Sequence, residues 1–384
     1  MDYDDISGLR LHQSDYPPRI GPNHSAQLQQ MLSDRYITNS YKLYWFGAIL
    51  DELNEPKPKL KISYRRLTFR MIAKAWYSVD NFRLSFGYKD QLAQTVKELA
   101  DELSIDSTYQ EDDIVKELEK LPANKTKGYV KEICRYVPSR LISVFYPSVV
   151  SSIKRDWRLD NALALVSCEN EDAIYQNHRK QKRIVINQKW YEYLKENMAI
   201  IRGWLRYRVI TYLQSRNPNV PAIPFKIEAP QKRKLMVAKK YWHTLYKAHL
   251  KIGEPLIDIY TQDQLPRDFS IDHFIPWSFV LHDQLWNLVP TYGATNSAKS
   301  NRLPILDEFL LPFCKQQYKA INAALNNKQI PRKTIEEYYS VFSPSELREM
   351  SFESFADKLS GTIEPLHKIA HNMGFQIWHE SHSS

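Results

Sequence analysis

Apolar residues recur every three or four positions along most of this 384-residue chain, and two-residue alternation is confined to short stretches. TNSYKLYWFGAILDEL predicts a helix capped at 38–40 and running to Leu53, and EPKPKLK breaks it. ISYRRLTFRMIAKAWYSV, YKDQLAQTVKELADEL and QEDDIVKELEKL each predict a further helix, the last with Glu and Lys spaced for pairs on one face. With the stretch interrupted by Pro138 and Pro147, they make one helical domain over residues 1–170. Residues 171–252 follow as a basic helical region. They hold a short strand or arm, a long helix, the proline-rich break NPNVPAIPFKIEAP and a second helix. EPLIDIY and DFSIDHFIP read as short strands, and residues 296–301 as the first turns of a helix that exits at Pro304. That unit fills 253–312, and helices divided by Pro331 fill 313–384. The expected fold class is mainly α, with a small ββα unit embedded in helical domains.

Charge changes this picture, because the formal net +9 is unevenly spread. From His178 to Lys251 there are 18 Lys and Arg against Glu192, Glu196 and Glu228, an excess of +15 that leaves −6 for the rest. A domain-sized excess of this kind suits a surface that neutralises phosphates. Candidate nucleic-acid contacts are Arg202 and Arg206, one helical turn apart, with Lys232, Arg233, Lys234, Lys239 and Lys240. Trp204 and Tyr207 lie between arginines, but core packing accounts for such aromatics ahead of base stacking. Cys134, Cys168 and Cys314 are isolated, which excludes a disulfide framework and a cysteine-built zinc site. The N-terminal MDYDDISGLR is acidic and has no apolar run, so no signal peptide is expected. No apolar stretch approaches the roughly 18 residues of a membrane span, and a cytoplasmic protein is the expectation. His367 and His371 share a helix face without a Glu or Cys beside them and read as ordinary helix histidines.

Candidate chemistry concentrates in IDHFIPWSFVLHDQLWNLVPTYGATNSAKSNRLP, from Ile271 to Pro304. Neighbours on a strand point to opposite faces, so Asp272 and His273 serve one centre only at a strand end or kink. There, Asp272 and Asn296 offer a carboxylate and an amide oxygen to a hard cation, and His273 offers a base near neutral pH. Lys299 follows Asn296 by three residues, on the same helical side. So small a donor set leaves most of the shell to water and substrate, which suits Mg2+, with Mn2+ as a substitute.

The pattern DHFIP, then NLVP, then N..KS..LP resembles the ββα-metal motif of the HNH endonuclease family. It is most similar to the zinc-free branch represented by the HNH domain of Cas9 proteins. Asn287, Asn296 and Lys299 follow His273 by 14, 23 and 26 residues, the family's separations. The resemblance implies His273 as general base, Asp272 and Asn296 as metal ligands, and Asn287 as the brace that orients the histidine. It also implies Lys299 as a phosphate-facing cation. Residues 292–295 stand where many relatives carry zinc cysteines, so no structural zinc is expected. Trp277, Phe279, Trp286, Leu288 and Val289 are candidates to support the unit by packing. His282 and Asp283 fall in the connecting loop, with hydrogen-bonding or substrate contact as their expected work, and Arg302 either contacts phosphate or caps the local fold. The resemblance implies a DNA endonuclease, in a restriction or anti-phage role, acting as a homodimer or with a regulatory partner such as an ATPase. An RNA-directed nuclease and a nonenzymatic nucleic-acid binder are the alternatives.

Overall fold

A computed structural model of the chain describes residues 24–230 and 233–379. The N-terminal decamer and Lys232 lie outside the described residues. The chain divides into two compact units, one running through Pro218 and taking back Lys226–Ala229, the other made of Asn219–Phe225 and everything from Pro230. Both are mainly helical.

In the first unit, α1 (Tyr41–Leu53) and α2 (Tyr64–Val79) are packed against each other, and nearly every side chain of α2 is buried. Its polar positions are answered inside the unit, Arg70 by Glu52 at 2.7 Å and Lys74 by Asp51 at 2.8 Å. Ser63 caps α2 by accepting from the Arg66 amide at 3.1 Å. The three residues before it, read above as helix or its approach, form a strand, β1 (Lys61–Ser63). It pairs antiparallel with β3 (Arg183–Ile186), which also pairs with β2 (Tyr175–His178), giving the order β1-β3-β2. Ile62 lies opposite Ile184, both are buried, and that apolar pair explains why a strand wins over an earlier helix start.

This sheet corrects the expected domain boundaries. It ties residues 175–186 to residues 61–63, so no boundary of a compact unit falls at 170. The basic region 171–252 is shared out: α3 (Met198–Arg216) belongs to the first unit and α4 (Met236–Lys251) to the second. Residues 253–312 and 313–384 are likewise one unit, because the ββα element and the C-terminal helices share a core.

The second unit is built on β4 (Ser270–His273) and β5 (Leu288–Thr291), antiparallel with Asp272 opposite Val289 and His273 opposite Leu288. The helix α5 (Gly293–Lys299) follows β5 directly, completing a ββα order. Next come α6 (Leu306–Asn326) and α7 (Phe352–Asn372), packed together. Phe313 of α6 stacks on Phe274 at 4.1 Å. Gln317, fully buried on α6, donates to the carbonyls of Leu285 at 3.2 Å and Leu288 at 2.8 Å, which fixes the start of β5. Phe279, Trp286, Leu288 and Val289 are buried and Trp277 half-buried, so apolar packing supports this unit.

EPLIDIY is not the partner strand. It makes one isolated bridge, Ile257 to Gln264, and β4 pairs with β5. The reason is Asp258, wholly buried, whose carboxylate accepts from the Tyr260 amide at 2.8 Å, the Thr291 hydroxyl at 2.7 Å and the Tyr292 amide at 2.8 Å. A buried carboxylate must be satisfied, and here the chain turns around it.

One cation of the basic region is not on a surface. Lys226 is fully buried, and burial pulls its ammonium down to about 7. The unfolded chain holds that proton up to about pH 10.4. Stability therefore rises with pH between about 7 and 10.4, where the unfolded state binds more protons. Lys226→Met is expected to flatten this slope and raise the melting temperature at pH 7 by a few degrees, roughly the effect of 1–2 kcal/mol. Thermal unfolding followed across pH checks both.

Candidate active site

β4 ends at His273, and its last two side chains leave on opposite faces, each only 3% exposed. Asp272 enters a buried polar cluster. Its Oδ2 accepts from the Tyr260 hydroxyl at 2.7 Å and lies 3.0 Å from the Lys299 ammonium, while Oδ1 accepts from the same ammonium at 3.2 Å. Lys299 also donates to the His273 carbonyl at 2.7 Å, so one cation pins both the side chain and the backbone of the strand end. Burial pulls the Lys299 ammonium down against the opposing effect of Asp272, and both burial and Asp272 push the Tyr260 phenol up.

α5 delivers Lys299 in its last turn and stops one residue later, at Ser300, whose φ of 48° lies in the left-handed region. The phosphate-facing position expected for Lys299 is thus corrected: its ammonium has no exposure and is paired within the protein. Its length and position on α5 are used to neutralise Asp272.

His273 makes a separate contact. Its Nε2 lies 2.9 Å from Asp283 Oδ1, and Asp283 Oδ2 accepts from the Lys234 amide at 2.6 Å. Burial raises the Asp283 carboxyl, but the His273 and Lys234 hydrogen bonds outweigh it and hold the group below its ordinary value. Facing a carboxylate, Nε2 is the nitrogen placed to donate, and Nδ1 is the other ring nitrogen. No described residue hydrogen-bonds Nδ1. Asn287, fully buried, holds the backbone just beyond: its Oδ1 accepts from the Ile275 amide and its Nδ2 donates to the Ile275 carbonyl, both at 2.9 Å. Its own carbonyl accepts from the Phe274 amide at 2.8 Å.

Asn296 sits half-buried on α5 with Nδ2 turned toward the Ile271 carbonyl, 3.5 Å away, and no described residue bonds its Oδ1. A carboxylate offers about four acceptor positions, and Tyr260 and Lys299 take three on Asp272, so Oδ1 of Asp272 retains one. Among the described residues no group of three or more His, Cys, Asp or Glu is placed to hold a metal. One carboxylate position and one amide oxygen fit a hard cation that keeps most of its shell as water and substrate oxygen.

The remaining candidates fall in several places. In the first unit, Arg202 pairs with Asp51 at 3.1 Å and Arg206 with Glu228, so acids already answer these two cations. In the second, Arg233, Lys234, Lys239 and Lys240 are exposed. Arg302 donates to the Ala298 carbonyl at 2.8 Å and so caps α5. His367 donates through Nε2 to the Pro304 carbonyl at 2.8 Å. Tyr260 and Asp258 escaped the sequence reading. A lone Asp inside the apolar LIDIY was the available signal, since a carboxylate there needs buried partners.

With strand, turn, strand and helix in this arrangement, residues 258–305 match the family model for the HNH endonuclease. This segment is an HNH domain. Nothing among the curated proteins or the solved structures matches the chain. An HNH domain implies nuclease activity, a phosphodiester hydrolysis on nucleic acid, and HNH nucleases generally use divalent metal ions. No helix among the described residues is long and apolar enough to cross a membrane.

Lys299→Met in this HNH domain leaves the Asp272 charge buried with one hydroxyl partner. The expected loss is about 3–5 kcal/mol, and Asp272→Asn combined with Lys299→Met should recover much of it. Urea unfolding of the two variants beside wild type measures this, and a single-variant loss near zero would show that the pair is not what holds the strand end.

Proposed function

We propose that the protein is a metal-dependent endonuclease that hydrolyses DNA, with His273 as general base and Asp272 and Asn296 as the protein's ligands to Mg2+ or Mn2+. The observation that carries this is the division at the end of β4. The imidazole keeps Nδ1 for a water while Asp283 holds Nε2, the Asp272 carboxylate retains one acceptor position, and the Asn296 amide oxygen is uncommitted among the described residues.

In this reading Nδ1 of His273 takes the proton from a water as its oxygen bonds to phosphorus. The P–O3′ bond breaks and the 3′ oxygen leaves with a proton from solvent, and the imidazolium, stabilised by Asp283, returns its proton to solvent. Asn287 keeps the ring in place through the backbone of residues 274–275. Lys299 and Tyr260 hold Asp272 in one orientation, so that its Oδ1 is preorganised. Asp272 and Asn296 would hold the divalent cation, which would supply positive charge against the negative charge that builds up on the phosphodiester.

The exposed Arg233, Lys234, Lys239 and Lys240 support a phosphate-contacting surface in the unit that carries the site. Arg202 and Arg206 are weaker candidates, since their charges are paired. A single site of this kind cuts one strand, and a double-strand break then needs a second copy, a second nick or a partner. A restriction or anti-phage role extends the reading to biology.

Supercoiled plasmid incubated with the purified protein and Mg2+ or Mn2+ tests it. The expected product is nicked circle first, with His273→Ala slower by about 10²–10⁴-fold. Replacing Lys239 and Lys240 together by Gln should raise KM, and replacing Arg202 and Arg206 should raise it less. An RNA of matched sequence serves as competitor. Cleavage of RNA alone, or full activity in His273→Ala, would overturn the assignment.

A further inference from the structure

We infer that Asp283 is a positioning residue for the reaction. It fixes which nitrogen of His273 acts as base, and ties that base to the backbone of the basic segment leading into α4. The inference rests on the nuclease reading above and adds a residue to it.

Asp283 sits in the loop between the two strands, ten residues beyond His273, with a side chain 18% exposed. Its two oxygens have different partners: Oδ1 meets His273 Nε2 at 2.9 Å, and Oδ2 accepts from the Lys234 amide at 2.6 Å. The Arg233 guanidinium, one residue earlier, lies 5.9 Å from the centre of the Trp277 ring, a second hold on the same segment. An amide N–H can only donate, so Oδ2 is committed as an acceptor and the carboxylate plane is set from the Lys234 side. Oδ1 then faces the imidazole as an acceptor and demands the Nε2–H tautomer. The alternative tautomer would put two lone pairs against each other and place the hydrogen on the nitrogen that has to take the proton from water.

Asn287 and Asp283 therefore do different work. Asn287 bonds only to backbone and fixes where His273 starts. Asp283 fixes the state of its ring. Asparagine at 283, its oxygen committed to the Lys234 N–H, turns its NH2 toward Nε2. It satisfies both partners only by holding the ring as the Nδ1–H tautomer, which cannot take a proton from water. Leucine satisfies neither.

The test uses the full-length protein labelled with 15N-histidine, without metal or nucleic acid, at a pH where imidazole is neutral. Wild type should show His273, assigned by its absence in His273→Ala, as the Nε2–H tautomer. Asp283→Leu should move it toward a mixture of tautomers. In plasmid nicking, Asp283→Leu should lower kcat on the order of 10²-fold with KM changed less than about 2-fold, and Asp283→Asn should lower kcat at least as far, with its ring found as the Nδ1–H tautomer. Adding Asp283→Leu to His273→Ala should cost nothing further, since the carboxylate acts through the ring. A wild-type ring protonated on Nδ1, or an Asp283→Leu protein with unchanged tautomer and kcat, would overturn the inference. If wild type cleaves no nucleic acid, the nuclease reading fails, while the tautomer result still decides the role given to Asp283.

Discussion

The ion pair between Asp272 and Lys299 is the constraint on which the site depends. Both groups are buried, and a charge taken from water is tolerated only where its partners stand in place. Lys299 reaches Asp272 because α5 follows β5 immediately and ends where its last turn faces the end of β4. The same ammonium holds the His273 carbonyl, so the register of the two strands, the length of α5 and the orientation of Asp272 and His273 are one interlocked solution. Apolar packing of Phe274 on Phe313 and the Gln317 contacts to β5 hold that solution from the side of α6.

Adjacent strand residues diverge, and the structure uses this divergence. Asp272 goes to a cluster that is closed but for one acceptor position, and His273 to a carboxylate that leaves Nδ1 open to a water. In the proposed function, holding a cation and accepting a proton fall to side chains separated by one peptide unit. The separation costs two sets of buried partners, which is why the segment is dense in polar residues with defined bonds.

Much of this unit was legible in the sequence. Asp272, His273, Asn287, Asn296 and Lys299 stand out because a strand, a loop of fixed length and a short helix impose their spacing. The second β-strand was less legible: EPLIDIY alternates as a strand should, and only the tertiary demands of Asp258 take it out of the ladder. The burial of Lys299 was not legible either, because a lysine at a helix end reads as solvated until the facing carboxylate is known. In the first unit, β1 is three residues long, and its pairing partner lies more than a hundred residues away, beyond the reach of local periodicity. The charge excess over 178–251 is a fact of composition, yet ion pairs to Asp51 and Glu228 answer two of its cations and Lys226 is buried.

The most direct test of the central claim, that Asp272 and Asn296 together hold a divalent cation beside His273, is paramagnetic broadening by Mn2+ in the full-length protein without nucleic acid. The Asn296 side-chain amide and the His273 ring should broaden before other resonances, and Asp272→Asn should abolish that selectivity. Broadening centred elsewhere, or the same pattern in Asp272→Asn, would contradict the account.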